Sequence, residues 1–485
     1  MNLPLQLDRA VTVPLQDQLF EQLRQLIITG KLKPNSRVIA TRFLAEQIGV
    51  SRTTVLLAYE RLINEGYLET RPAIGTFVCA ALPEQRSREA VRLEISDIPR
   101  QASLHPQAFD RPLEVPPAVP ECTVDFNPER CDSSNLLPTR IWLKVLRSVF
   151  DAEPDGLAKP QPPRGVLSLR RTIVDYLAAT RGVMTSPEQV IMVTGRRQAA
   201  SFVAHLFQRP GDRVVLESPG DKEIADFFRL RKASLVHVPV DERGLETDAL
   251  PQGPVSLAYV TPARQNPLGP TMPQARREAL LAWARETGAY LIEDDTESEL
   301  RYHGTTPPPL AAIDPYGLVF YAGSFTKTLG AGLGLGYLVV PAEFTDAITA
   351  IKLMMEAMCP WLEQMVVANL LGTGEYDHHL RRVRKVYLER RDCLMRALRD
   401  NFGEVQLLGT EVGTQLTWML PDTLPSAHMV RDIARAHGVG VSNAICGCGQ
   451  LTCDRHGKAL ILGYAALEPD ILRDGVARLA DALCH

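Results

Sequence analysis

Residues 324–337 read SFTKTLGAGLGLGY, and the reading of this stretch decides what the larger part of the chain is. It leaves an apolar run, LVFYAG (318–323), that has the length and composition of a buried strand. Lys327 then stands between Thr326 and Thr328, with Ser324 just before and four glycines close behind. A single lysine among small hydroxyls at a strand exit is placed to react with a carbonyl compound. The plainer alternative is a solvated charge in a strand-to-helix loop. The choice between them depends on whether partners for a carbonyl cofactor lie elsewhere in the chain.

Pyridoxal 5'-phosphate requires such a lysine, an acid for its pyridine nitrogen and donors for its phosphate. IEDDTESELRY (292–302) places Asp294 and Asp295 at the carboxyl end of another strand candidate, where ligands of open α/β sheets gather. One of the two aspartates suits the pyridinium. TPARQNPLG (261–269) leaves a further strand and offers Asn266 as a donor to the ring hydroxyl. VTGRRQA (193–199) turns from strand to helix at Gly195, where free N–H groups and Arg196 suit a phosphate. Ser324 and Thr326 add hydroxyls on the lysine side.

The surrounding pattern fits this reading. QVIMVTG, DRVVLESP, SLVHVPVD, VSLAYVTP, AYLIEDD, LVFYAGSF and GYLVVP are strand candidates, and ARREALLAWARETG (275–288) is an amphipathic helix with Leu280, Leu281 and Ala284 on one face. Apolar runs separated by helices predict a largely parallel sheet covered on both sides. We expect an α/β domain over 122–485, with a large subdomain of about 160–345 and a smaller one of about 346–485. Residues 80–121, rich in proline and charge, read as a linker.

Residues 1–79 have a different character. Leu15, Leu19, Leu23, Leu26 and Ile27 form one apolar stripe that stops at Gly30. A short helix from Thr41 ends at Gly49, and Ser51 caps a second whose Val55, Ala58 and Leu62 face inward. Two short helices about a glycine turn make a helix-turn-helix, and GYLETR with GTFV makes a hairpin wing. The second helix would enter the major groove of double-stranded operator DNA with Ser51, Arg52, Thr53 and Thr54 at its leading end. Arg42 would pin the DNA backbone, and Gly75 in the wing would let main chain approach a phosphate. From Lys31 to Arg71 there are seven Lys/Arg against four Glu, a mild local excess in a chain whose net charge is −4.

The front zone resembles the winged helix-turn-helix of GntR-type bacterial regulators over 15–79. The order and spacing of the lysine, Asp-Asp and Asn motifs resemble fold-type I aminotransferases over about 125–485. Together with RGVLSLRRTIVDYLAATRGV (164–183), they resemble the MocR subfamily of GntR regulators over nearly the whole chain. The resemblance implies DNA contacts at Arg42, Arg52, Thr53, Thr54 and Gly75. It implies that Lys327 is the Schiff-base lysine, Asp294 the ring-nitrogen partner and Asn266 the ring-oxygen partner. It also implies a head-to-tail homodimer and a small amine or amino-acid effector.

The sequence departs from that family at several positions. Thr296 and Glu297 stand where a tyrosine is usual, Gly334 where a phosphate-binding arginine is usual, Asp221 where a ring-stacking tyrosine is usual, and Ile461 where a carboxylate-binding arginine is usual. Loss of the phosphate arginine removes a charge-assisted contact of roughly 1.5–3 kcal/mol, and Arg196 or Arg197 is expected to replace it. With the carboxylate anchor gone, sensing is expected rather than transamination. An aminotransferase with a DNA-binding appendage, and a regulator whose degenerate site holds another ligand, remain the alternatives.

Nine scattered cysteines fit a reducing, cytoplasmic setting. CGCGQLTCDRH (446–456) brings Cys446, Cys448, Cys453 and His456 together. These read as free thiols in a surface loop, with a zinc site as the alternative. No apolar run reaches the roughly 18 residues of a membrane span.

Overall fold

The structure, a computed structural model, describes residues 4–8, 11, 13–72, 74–80, 82, 122–356, 359–444 and 457–484. The expected linker 80–121 and the Cys446, Cys448, Cys453 and His456 group fall almost entirely or entirely outside the described residues.

The first unit is built on three helices, α1 (Leu15–Ile28), α2 (Thr41–Ile48) and α3 (Arg52–Asn64), and two strands, β1 (Leu68–Arg71) and β2 (Gly75–Val78). The α1 stripe packs as its spacing demands: Leu19, Leu23, Leu26 and Ile27 are buried with Val55, Ala58 and Leu62 of α3 in one core. Full burial of each larger aliphatic side chain contributes about 1.5–3 kcal/mol, enough to hold helices that are too short to persist alone. Gly49 closes α2 in the left-handed conformation, and its N–H donates to the Ala45 carbonyl. The Ser51 side chain accepts from the Thr54 N–H at 3.1 Å and starts α3. The wing is antiparallel, with Leu68 opposite Val78 and Arg71 opposite Gly75.

The second unit is organised around an eight-stranded sheet. In chain order its strands are β3 (Val190–Val193), β4 (Arg213–Ser218), β5 (Ser234–Asp241), β6 (Gly244–Leu245), β7 (Leu257–Val260), β8 (Tyr290–Asp294), β9 (Val319–Ser324) and β10 (Gly336–Val339). Their spatial order is β3-β10-β9-β8-β7-β4-β5-β6. The seven apolar runs picked from the sequence are seven of these strands, and the eighth is the two-residue β6. Pairs β9–β8, β8–β7, β7–β4 and β4–β5 are parallel, whereas β10 runs antiparallel to both neighbours. The central strands are buried on both faces, which is why they read as continuous apolar runs rather than alternating ones.

The C-terminal part adds a four-stranded sheet, in which Gln415–Met419 pairs with Ala459–Gly463, and the long helix Glu375–Phe402. Val124 and Asp125, just after the linker, pair in parallel with Val439 and Gly440, so the start of this unit closes onto its end.

Candidate functional site

In the winged helix the charges lie on the outside. The Arg42 side chain is 77% exposed, and it pairs with Glu46 at 3.4 Å, one turn away. Arg52 and Thr53 are exposed at the start of α3, and Thr54 is half-buried because its N–H and hydroxyl engage Ser51. Ser51 is therefore occupied as a cap. Gly75 has φ +136°, a backbone region that favours glycine, and a Cβ there would stand 2.7 Å from Nε of Arg37. The glycine makes room for an exposed arginine beside the wing, a residue that the motif reading passed over. On the other side of the wing, Arg71 lies 4.5 Å over the Phe77 ring and donates to Glu69.

The second unit gathers the other predicted residues at the carboxyl ends of its parallel strands. Lys327 (after β9), Asp294 (ending β8), Asn266 (after β7) and Arg196 (after β3) line one cleft. Gly195, Ser324 and Thr326 lie beside it in the chain without lining it. Gly195 N-caps the helix Arg196–Phe207, and the Ser324 hydroxyl accepts from the Thr326 N–H at 3.2 Å. Ile461 is buried in a strand of the small sheet and does not line the cleft.

Lys327 is buried, and its Nζ donates to the Pro128 carbonyl at 3.0 Å, with Glu129 Oε2 at 3.6 Å. Glu129 sits at the rim with its side chain 64% exposed, and Lys327 and then Arg196 hold its carboxyl below the usual range. Asp294 accepts from the Tyr259 hydroxyl at 2.5 Å and from the Thr296 N–H at 3.1 Å. Burial pushes its pKa up, and Arg196, Tyr259 and Thr296 oppose that shift. Its neighbour Asp295 is turned elsewhere, toward Arg181 at 2.7 Å and the Tyr321 hydroxyl at 2.5 Å. The Asp-Asp pair thus divides into one cleft carboxylate and one clamped by a buried arginine.

Asp221 and Arg196 form a pair, Nε to Oδ2 at 2.9 Å. Burial alone would lower the arginine's pKa, but Asp221, with Tyr259, Asp294 and Glu129 further along, raises it. Asp221 also caps the helix Lys222–Leu230 by accepting from the N–H groups of Glu223 and Ile224. Asn266 Nδ2 lies 3.5 Å from the same carboxylate. Arg197 is 65% exposed and faces Glu223 at 3.2 Å, so of the two candidate replacements only Arg196 belongs to the cleft.

Three further cleft residues carried weaker sequence signals. Arg264 donates from Nε to the Val412 carbonyl at 2.9 Å and from Nη2 to that of Gln415 at 3.1 Å. Its Nη1 lies 3.2 Å from Glu297 Oε2, with the two side chains 2% and 14% exposed. Arg264 was visible only as a charge inside an apolar strand exit, and Glu129 as an acid in a loop far from the other motifs.

The residues fit the ring of pyridoxal phosphate. A buried amine, a buried carboxylate and an amide line one cleft. For the phosphate, the chain offers the first-turn N–H groups after Gly195 and the Arg196 cation, whose charge Asp221 now meets.

The family profile "Bacterial regulatory proteins, gntR family" matches residues 15–78, and "Aminotransferase class I and II" matches residues 130–459. The chain is 31% identical over 480 residues to the "Probable rhizopine catabolism regulatory protein MocR" of Rhizobium meliloti, covering 99% of this chain and 95% of that one. It is 30% identical over 485 residues to the "HTH-type pyridoxine biosynthesis transcriptional regulator PdxR" of Corynebacterium glutamicum, covering 99% of both. Among solved structures, the alpha-aminoadipate aminotransferase LysN of Thermus thermophilus, complexed with N-(5'-phosphopyridoxyl)-L-leucine, superposes with a TM-score of 0.67. Its identity is 28%, and the match covers 74% of this chain and 92% of that one.

Proposed function

This chain belongs to the MocR group of GntR-type transcriptional regulators, a winged helix-turn-helix joined to an aminotransferase-like domain, and from that premise we propose that it senses a small amine through pyridoxal phosphate. Residues 1–79 hold operator DNA, 80–121 link the two parts, and 122–485 read the effector. Arg52, Thr53 and Thr54 meet base edges and phosphates at the start of α3, and Arg42 and the Gly75 wing meet the backbone. The regulator works as a cytoplasmic homodimer. Among the described residues no helix is long and apolar enough to cross a membrane.

The observation that carries the sensing reading is the shared cleft. Lys327 is buried with its amine beside Glu129, and Asp294 and Asn266 line the same space. Pyridoxal phosphate, when bound, supplies a carbonyl carbon that exchanges reversibly between one amine and another. Lys327 supplies the protein's own amine, and Glu129 keeps that amine's proton within reach of a carboxylate. Asp294 is the acid against which a ring nitrogen would hold its proton, and Tyr259 and Thr296 fix its orientation. Arg196 and the N–H groups after Gly195 would meet the phosphate, which requires Arg196 to share its charge between that group and Asp221.

Effector exchange alters operator affinity only if one arrangement of the dimer favours the effector over the other. Couplings of this kind are typically about 5- to 150-fold. The test is an absorbance titration of the purified protein with pyridoxal phosphate. Wild type should develop a visible band that hydroxylamine removes, and Lys327→Ala should develop none while binding operator as before. A featureless wild-type spectrum at saturating cofactor would overturn the cofactor half of this reading. Sustained product formation from an amine and a keto acid would replace sensing by transamination.

A further inference from the structure

The geometry points to the class of effector: a primary amine that carries a second donor and no carboxylate, in its simplest form an aliphatic diamine. This rests on the proposed role of the cleft in sensing amines, and it comes from the wall opposite the cofactor residues.

Arg264 has the look of a carboxylate anchor but is already committed. Two arms of its guanidinium donate to the carbonyls of Val412 and Gln415, and the third faces Glu297. With only 2% of its side chain exposed, it offers a ligand almost nothing. The other cleft cations are likewise met, Arg196 by Asp221 and Lys327 by the Pro128 carbonyl and Glu129. Around the cleft the carboxylates of Glu129, Asp294 and Glu297 face the cations Lys327, Arg196 and Arg264, and Asp221 stands behind Arg196 as a fourth carboxylate. Among the described residues that line the cleft, every cation already faces a carboxylate, so a ligand carboxylate would have to displace one of them.

Glu297 is the complementary half of the argument. Its Oε1 accepts only a long bond, 3.5 Å, from the Thr414 hydroxyl. Its Oε2 is shielded from solvent and faces Arg264 Nη1 at 3.2 Å, but among the described residues it receives no aligned hydrogen bond. A dry carboxylate oxygen lacking a hydrogen bond is costly, and a ligand ammonium or hydroxyl is the group that relieves it.

The fold also makes room for this pair. Gly413 has φ +100°, and a Cβ on it would stand 2.2 Å from Arg264 Nε and 2.5 Å from Glu297 Oε2. The Arg-Glu pair is seated against bare backbone in the loop that leads into the strand Gln415–Met419. Lys327 and Glu297 line the same cleft, so the far end of an amine placed for exchange at Lys327 has Glu297 as a carboxylate in the same space.

Calorimetric titration with putrescine, n-butylamine and γ-aminobutyrate tests this. These three share a four-carbon chain and differ at the far end. Wild-type protein, with or without cofactor, should bind putrescine about tenfold to a hundredfold more tightly than either of the others. Glu297→Gln should bring putrescine to within about twofold of n-butylamine. Lys327→Ala should keep the order of the three, since the recognition at Glu297 is non-covalent. A ranking led by γ-aminobutyrate, or no heat from any of the three, overturns the inference. A failed cofactor reading shows itself differently, as a missing absorbance band with the ranking intact.

Discussion

The winged helix and the cleft use charge in opposite ways. Arg42 and Arg52 stand in water, Arg42 with one long pairing to Glu46, and a substitution there disturbs little else. In and behind the cleft, Arg196, Arg264 and Arg181 pair with Asp221, Glu297 and Asp295, and backbone N–H groups at Asp221, backbone carbonyls at Arg264 and the Tyr321 hydroxyl at Asp295 fix the pairs further. Exposed charges are screened and nearly independent, so they suit a polyanion met over many small contacts. Buried pairs are strongly coupled, because removing one partner leaves the other desolvated and uncompensated.

The largest expected effect follows from that coupling. Arg181→Ala leaves Asp295 buried, with the Tyr321 hydroxyl as its remaining side-chain donor. Urea denaturation should show a loss of about 3–5 kcal/mol from the second unit. Adding Asp295→Asn should recover part of it, because the stranded charge is then gone. A loss below about 1 kcal/mol would place this pair among the surface-like ones and erase the contrast.

Two further carboxyls sharpen it through pH. Burial pushes Glu217 up to about 7, against the donors Thr261 and Gln265, and pushes Glu293 up to about 7 against Arg277 and the N–H groups of Ala311 and Leu310. Both folded values lie above the unfolded one, so their stabilisation is fully present below about 4.5 and is lost as pH rises through about 7. Stability should therefore fall from pH 5 to pH 8, each group contributing at most roughly 1.4 kcal/mol per pH unit. Glu217→Gln should leave about half of that slope, measured by denaturation at several pH values. An unchanged slope would clear Glu217 as its source.

What the sequence disclosed divides along the same line. The strands, the helix ends and the cap at Ser51 were legible because period, glycine and capping chemistry are local. Lys327, Asp294 and Asn266 were legible because each closes or follows a buried strand, a position that sequence pattern marks. The partners were not. Nothing near Asp295 announces Arg181, 114 residues earlier, and nothing near Arg264 announces the carbonyls of Val412 and Gln415. Arg196 was expected to serve a phosphate, and the structure gives it Asp221 first. Gly75 was read as an opening for DNA, and the structure adds a local reason for glycine, a backbone φ of +136°. Side-chain pairing across the fold is fixed by topology, which a motif does not carry.

Within the winged helix, Ser51→Ala removes the side chain that accepts from the Thr54 N–H. Loss of such a cap costs about 1 kcal/mol. The operator affinity should fall with it, because Arg52, Thr53 and Thr54 are all presented by the turn that the cap holds. Thermal unfolding and operator titration together separate this from a direct DNA contact. Ser51→Asp, which caps equally well, should restore the melting temperature but not the affinity, since it adds a negative charge facing phosphate.

Arg42→Ala is the smallest effect and the cleanest test of independence. Its pairing with Glu46 is exposed, 77% and 63% at the two side chains, and such pairs contribute about 0–1 kcal/mol. The melting temperature should not move measurably. If Arg42 neutralises one phosphate, the slope of log affinity against log salt should become shallower by about one. Affinity should drop by a similar factor on every DNA sequence, specific or not, because a backbone contact carries no base information. A loss confined to the operator would mean that Arg42 reads a base, and a change in stability would mean that the outer charges are as interlocked as the inner ones.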